Sequence, residues 1–346
     1  MCQTIICLYA GAAMRRRAFL TVMCGAVAWP LAAAAQQSTN RKRLAIFSPA
    51  EPSSDLHEHS KTKAWRALFA ELRRLGWIEG QNLKVESYGR EQNTSDPEAM
   101  ATEIVRSNPD VIFVVALYAV VFKKLTSRIP IVGITGDPIM QGLAESLAHP
   151  GGNFTGVTVD AGPSIYGKRI ALLREMVPTM SKLGCLALRS QWDQPNAGAF
   201  RTTAESAGLP LAVSLLEIGT SEAGYRAAVE SISRDGADAV MVLESPQVFQ
   251  NSTLIAKLLG DAKLPAIFAF TESVEAGGLM AYSFDLIELF KRVANNIDAI
   301  LRGAKPGDIP IYQVTKFELS LNLKTAKQLG LSVPPTLVAL ADKVIE

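Results

Sequence analysis

The sequence predicts an α/β chain with two doubly wound parallel-sheet lobes in tandem, on three observations. Apolar runs of strand length alternate with amphipathic helical stretches from residue 44 onward, as βαβ units require. The runs are apolar throughout, as at 111–116 (VIFVVA), the composition of a parallel strand covered on both faces. The alternation halts at a Gly-rich seam, His149-Pro150-Gly151-Gly152-Asn153, and then restarts. A chain of 346 residues is long enough for two such units and too short for a third after the second series.

In the first series, a strand at 44–48 is followed by a Pro/Ser/Asp loop. An amphipathic helix at 61–75 then ends at Gly76. A strand spans 83–88. Asp96-Pro97 opens a helix reaching 107, because proline suits a first helical turn. Asn108-Pro109-Asp110 turns the chain into the strand at 111–116. A helix at 118–127 and a strand at 129–135 follow, and a short strand at 155–159 comes after the seam. The second series runs helix 164–177, strand 182–188, helix 196–207, strand 211–218, helix 221–234, strand 239–243, helix 250–262 and strand 266–270. A short strand at 277–282, a helix at 286–302 stopped by Gly303, a strand at 311–314 and a last helix at 323–329 complete it.

The chain is 48% hydrophobic and 20% charged, as expected of a well-cored globular protein. Its formal net charge is +2, but residues 1–35 carry three arginines and no acid. Without them, 35 less 3 leaves 32 basic against 33 acidic residues. That near-neutral body argues against nucleic acid as a partner, because phosphate binding needs concentrated positive charge. Residues 1–35 read as an export leader. Arg15-Arg16-Arg17-Ala18-Phe19-Leu20 opens an Ala/Gly-rich apolar stretch that ends in an A-x-A-like site, so cleavage is expected after Ala35. Arg16-Arg17-x-Phe-Leu is similar to a twin-arginine signal. Met14 would serve as a normal signal-peptide start, and residues 1–13 upstream of it are expected to be a mis-assigned start. Cys2, Cys7 and Cys24 lie in the leader. Cys185 alone remains, in an apolar run, and is expected to be buried.

No nucleophile elbow, zinc-binding His-Glu-x-x-His or dinucleotide loop occurs, so neither an enzyme nor a cofactor is expected. Gly162-x-x-x-x-Gly167-Lys168 approaches a phosphate loop, but Arg169 replaces the magnesium-binding hydroxyl. Lys168 and Arg169 are therefore read as solvated charges on a helix. His57-Glu58-His59 is read as an exposed loop, with no further ligand at metal spacing. Doubly wound sheets bind ligands beyond the carboxyl ends of their strands, and two lobes facing each other make a cleft for a small molecule.

Several segments carry a family resemblance. They are Trp29-Pro30-Leu31 with Gln36-Gln37 in the leader, LRRLGWIEG at 72–80 with Asn82, and Ile129-Pro130-Ile131-Val132 with Asp137-Pro138. SLAHPGGNFTG at 146–156, AGGLMAY at 276–282, LRGAKP at 301–306, Lys316-Phe317-Glu318-Leu319, Asn322 to Ala326, Leu329-Gly330-Leu331 and Val333-Pro334-Pro335 complete them. Together they resemble the ABC transporter substrate-binding proteins, the family that includes tryptophan- and tyrosine-binding members, over nearly the whole chain.

The resemblance implies a type I periplasmic-binding-protein fold with three hinge crossovers, near 156–163, 282–286 and 313–320. Lobe 1 would comprise 42–158 plus 284–314, and lobe 2 would comprise 159–283 plus 315–346. It implies a monomer in the periplasm that delivers a small molecule, such as an amino acid and preferably an aromatic one, to an ABC permease with its ATPase. Signalling to a membrane receptor is the alternative. In this architecture the loops after the strands supply the ligand contacts: Ser48, Pro49 and Glu51, then 116–118 with Tyr118, then 135–137 with Thr135 and Asp137. From the second lobe come the loops 190–192 with Ser190 and Trp192, Glu244 with Ser245, and 270–272 with Thr271 and Glu272, with Tyr282 and Asp285 near a hinge. Tyr118 and Trp192 would sandwich a ring, and Asp137, Glu244 and Glu272 would meet an ammonium. Ala116-Leu117-Tyr118 and Arg189-Ser190-Gln191-Trp192 depart from the family's polar residues at those loops, which points to an aromatic or less polar ligand.

Overall fold

A computed structural model of the chain describes residues 41–346 apart from 49, 91–96, 117, 161, 163 and 194, and apart from the side chains of 195 and 196. The predicted leader (1–35), the alternative start at Met14, Pro49, Leu117 and the proposed helix start at Asp96 lie outside the described residues.

The strands are β1 (Lys42–Phe47), β2 (Leu83–Tyr88), β3 (Val111–Val115), β4 (Ile131–Thr135), β5 (Phe154–Thr158), β6 (Leu183–Leu188), β7 (Leu211–Leu216), β8 (Ala239–Val242), β9 (Ala266–Phe268), β10 (Met280–Phe284), β11 (Tyr312–Gln313), β12 (Phe317–Asn322) and β13 (Lys343–Ile345). The helices are α1 (Lys63–Arg74), α2 (Pro97–Ser107), α3 (Tyr118–Leu125), α4 (Ser164–Met176), α5 (Arg189–Trp192), α6 (Pro195–Ser206), α7 (Glu222–Arg234), α8 (Pro246–Gln250), α9 (Ser252–Asp261), α10 (Thr271–Glu275), α11 (Leu286–Leu301), α12 (Leu323–Gln328) and α13 (Pro335–Leu340).

Two sheets result. The first has the order β11-β5-β4-β3-β1-β2 and is parallel throughout. The second has the order β13-β12-β10-β9-β8-β6-β7 and is parallel except where β12 runs antiparallel to β10. The chain changes sheet between β5 and β6, returns through α11, whose apolar face packs on α1 and the first sheet, and changes again between β11 and β12.

The continuous apolar runs follow from two-faced burial. In β1, Leu44 and Ile46 enter a core with Trp65, Phe113 and Phe290, while Ala45 and Phe47 enter one with Ile112, Val114 and Phe122. Successive strand residues point to opposite faces, so a strand covered on both sides needs no polar positions. β6 behaves alike, with Cys185 and Ala187 on one face and Leu186 and Leu188 on the other. Cys185 is a buried free thiol.

Helix α11 shows how pattern becomes packing. Asp285 caps its start, accepting from Glu288 N at 3.0 Å, and Gly303 ends it at φ 105°, a left-handed turn that favours glycine. Its buried residues Leu289, Phe290, Val293, Ala294, Ile297, Ile300 and Leu301 recur at helical spacing and form one stripe. Truncating Phe290 to Ala would cost about 3–5 kcal/mol through lost burial and the cavity left behind. Between β4 and β5, Gly133 lies opposite Gly156. A Cβ on Gly156 would come within 2.0 Å of the Gly133 carbonyl oxygen, so this close strand pair needs glycine.

Several elements differ from the sequence reading. The strand expected at 277–282 lies at Met280–Phe284, and β12, α13, β13 and the short helices α5, α8 and α10 were not anticipated. Helices of four to six residues are too short to display a 3.6-residue period. Among the described residues, no helix is long and apolar enough to cross a membrane.

Candidate functional site

A cavity of about 170 Å³ lies between the two sheets, at the carboxyl ends of strands from both. From the first sheet come Val115 and Ala116 at and after the end of β3, Ile134, Thr135 and Gly136 at and after the end of β4, and Val159 and Asp160 after β5. From the second come Leu243, Glu244, Ser245 and Pro246 after β8, Phe270 after β9 and Phe284 at the end of β10. Helices contribute Ala64, Ile165, Tyr166, Gln191, Ala197, Phe249, Leu286 and Phe290. This is where doubly wound sheets place their ligands.

One wall is aromatic. Phe249 and Phe270 meet edge to face at 5.1 Å between centroids, and Phe270 and Phe284 at 5.9 Å. Tyr166 packs on Phe200 at 5.6 Å, and burial pushes its hydroxyl pKa well above the usual value. Ala116 holds φ 67° at the rim, a left-handed conformation that costs a non-glycine residue roughly 1–2 kcal/mol.

Three carboxylates face the cavity. Glu51 is buried. Its Oε1 accepts from Trp65 Nε1 and from Gln250 Nε2, each at 3.0 Å, and its Oε2 accepts from Ser48 Oγ. Burial raises its pKa, with the three donors opposing. Gln250 belongs to α8 beside the second sheet, so this bond joins the two halves. Nearer the surface, Lys63 of α1 pairs across the halves with Glu275 of α10 at 3.2 Å, and Lys343 also pairs with Glu275.

Glu244 is held differently. The Arg169 guanidinium donates to its Oε2 at 2.9 Å and, through Nε, to the Tyr282 carbonyl at 3.1 Å. The Arg169 side chain is only 1% exposed, against 25% for Glu244. The expectation that Arg169 is solvated is therefore corrected. It falls on the buried face of α4 with Ile165, Tyr166 and Ile170, while Lys168 faces solvent. Asp160 accepts from Gly162 N at 2.9 Å, and burial first, then Asp137 and Glu244, raise its pKa. Two lining amides, Gln141 and Gln191, bury their Oε1 atoms without a hydrogen-bond partner. Among the described residues, no group of three or more His, Cys, Asp or Glu is placed to hold a metal ion.

Of the residues singled out from sequence, Glu51, Thr135, Glu244 and Ser245 line this cavity, as do Ala116, Gly136, Gln191 and Phe270 from the loops named with them. Ser48 sits behind it, donating to Glu51. Tyr118 turns its ring edge-on to Phe47 at 5.3 Å, and Trp192 lies against Phe200 and under Arg201, 4.9 Å from its ring centroid. Neither ring lines the cavity. Asp137 caps the turn that follows it, accepting from Ile139 N and Met140 N at 2.9 and 3.0 Å. Thr271 shares hydrogen bonds with Ser283 and Ser320, and Asp285 caps α11. Glu272, with a pKa raised by burial, and Ser190 on α5 also lie off the cavity lining. The reading missed Asp160, Tyr166 and Gln141. Asp160 stands two residues past β5, so the strand-end rule alone would have found it.

The chain matches the family of ABC transporter substrate binding proteins over residues 56–345. It is 24% identical over 288 residues to a tyrosine-binding protein of Clostridioides difficile, covering 80% of each chain. The crystal structure of an ABC domain in complex with L-Trp from Streptococcus pneumonia superimposes with a TM-score of 0.74 at 24% identity, over 89% of this chain and 100% of that one. A conserved domain protein from Vibrio cholerae gives a TM-score of 0.74 at 24% identity, over 88% and 100%. The fold they share is the two-lobed α/β fold of type I periplasmic binding proteins. With a family match across most of its length and a cavity at the strand ends of both sheets, the chain belongs to the ABC transporter substrate-binding protein family.

Proposed function

We propose that this protein captures a small molecule in the cavity between its sheets, outside the cytoplasm, and delivers it to an ABC permease with its ATPase. It performs no chemistry on that solute and acts as a monomer. The observation that carries the reading is that both sheets line one cavity, so a solute there touches both halves at once. Contact with both halves is what couples binding to closure, because a ligand shifts a two-state equilibrium only through differential contacts. The hinged units would be lobe 1 (42–158 plus 284–314) and lobe 2 (159–283 plus 315–346), and the leader would be cleaved near Ala35.

The aromatic wall of Phe249, Phe270, Phe284 and Phe290 favours a ring-bearing solute, the class that includes the aromatic amino acids expected from the sequence. Glu51, Thr135, Glu244 and Ser245 would contact it, with Asp160 and Tyr166 added to the set and Ser48 supporting Glu51 from behind. The remaining sequence candidates, Tyr118, Asp137, Ser190, Trp192, Thr271, Glu272 and Asp285, would act on the packing and capping around the cleft. The test is a thermal-shift screen of the purified chain, unfolded and refolded to strip any bound solute, against amino acids and other small solutes. A true ligand at about 100 times its Kd adds roughly 2.7 kcal/mol of stability and raises Tm by several degrees. Loss of uptake of that solute when the protein is deleted would establish delivery. Intact uptake with a lost cellular response would favour a sensor instead, and silence across the screen would contradict the capture reading.

A further inference from the structure

Resting on the reading of this cavity as the solute site, we propose that its occupant is an apolar, ring-bearing amine, carrying a positive charge and no carboxylate. The charge balance of the lining points there. Glu51, Asp160 and Glu244 line the cavity, and no Lys, Arg or His does so among the described residues. Arg169, behind Glu244, is already committed to that carboxylate and to the Tyr282 carbonyl. That pair cancels itself and leaves Asp160, with no cation in contact, as the negative group facing the cavity, while buried Glu51 is fastened by neutral donors. Asp160 accepts from one backbone N–H, that of Gly162, and Glu51 is met only by neutral donors.

Two further acceptors need a donor. Gln141 lies beyond β4 of the first sheet and Gln191 beyond β6 of the second, and both bury an amide oxygen with no partner. A buried acceptor without a donor is costly, and an ammonium group supplies three donors and one charge together. A zwitterion would leave the negative surplus uncancelled and bring a carboxylate to a lining that holds no cation, where desolvation penalises it most. The aromatic wall suits the amine's body, and ring faces attract its charge.

The experiment titrates phenethylamine and tryptamine, their parent amino acids phenylalanine and tryptophan, and neutral indole into the stripped and refolded chain by calorimetry. Each amine is expected to bind at least about tenfold more tightly than its amino acid and than indole. Gln191→Glu is expected to tighten amine binding by about threefold, since a carboxylate meets an ammonium better than an amide oxygen does. Amine affinity should also rise with pH as Asp160, facing Asp137, Glu244 and Tyr166, gives up its proton. Tighter binding of the amino acids would overturn the proposal and leave the solute-site reading standing. Equal binding of indole, or weaker amine binding in Gln191→Glu, would overturn it too. If none of these probes binds, the proposal falls, and the solute-site reading falls with it only when the wider screen is also silent.

Discussion

Two carboxylates reach the cavity from opposite sheets and are stabilised by opposite means. Glu51, on the first-sheet side, is buried among neutral donors: the Trp65 indole, the Ser48 hydroxyl and the Gln250 amide from the other half. Glu244, on the second-sheet side, is partly exposed and rests on a buried guanidinium. Neutral donors satisfy geometry without supplying charge, so burial still raises the Glu51 pKa. Glu51 therefore works as a junction, joining loop, helix α1 and the opposite half through hydrogen bonds. Glu244 works as a presented acceptor, held in place and neutralised by a partner that never reaches the cavity. One chain thus uses the same side chain for fastening on one wall and for presentation on the other.

The largest effect should come from removing the buried cation. Arg169→Ala leaves Glu244 without a counter-charge and a void under α4, and should cost about 3 kcal/mol or more in denaturant unfolding. Glu51→Ala comes next. It strands the Trp65 N–H and the Gln250 amide and should cost about 2 kcal/mol, measured in the same way. Glu51→Gln sharpens the contrast, because it keeps an acceptor for both donors while removing the charge. Below the unfolded carboxyl pKa, where both side chains are neutral, stability should change by less than about 0.5 kcal/mol. The difference lies in pH dependence. A carboxyl whose folded pKa is raised contributes fully below its unfolded pKa and loses that contribution as pH rises through the folded value. Wild type should show that decline in its denaturation midpoints, and Glu51→Gln should lack it. The smallest effect belongs to the surface crossing. Glu275→Gln weakens the pairs with Lys63 and Lys343 and should move stability by no more than about 0.3 kcal/mol.

The sheets were legible because two-faced burial writes itself as unbroken apolar runs: every residue of Leu183–Leu188 is buried. β12 was obscured for the complementary reason. Near the edge of its sheet, Phe317, Leu319 and Leu321 alternate with Glu318, Ser320 and Asn322, and the polar positions read as a connection. At the site, the strand-end rule located Glu51, Thr135, Glu244 and Ser245, whose backbone positions the topology fixes. It could not orient side chains. Trp192 and Tyr118 turn to aromatic neighbours in their own half. Gln191, one position earlier on the same helical turn, lines the cavity because consecutive helical residues point about 100° apart. Arg169 was misread by residue type. Its place four residues after Ile165, on the period of a buried face, carried the better signal.

The central claim is that a solute occupies the cavity between the sheets, and Leu286→Trp tests it most directly. Leu286 is partly buried at the start of α11 and lines the cavity, so a larger side chain there takes up ligand space without disturbing the buried stripe of that helix. The strongest solute from the thermal-shift screen should be titrated calorimetrically into wild type and into this variant, with unfolding curves confirming that both are folded. The account predicts a loss of affinity of at least about tenfold in Leu286→Trp. Equal affinity in the two proteins would contradict it.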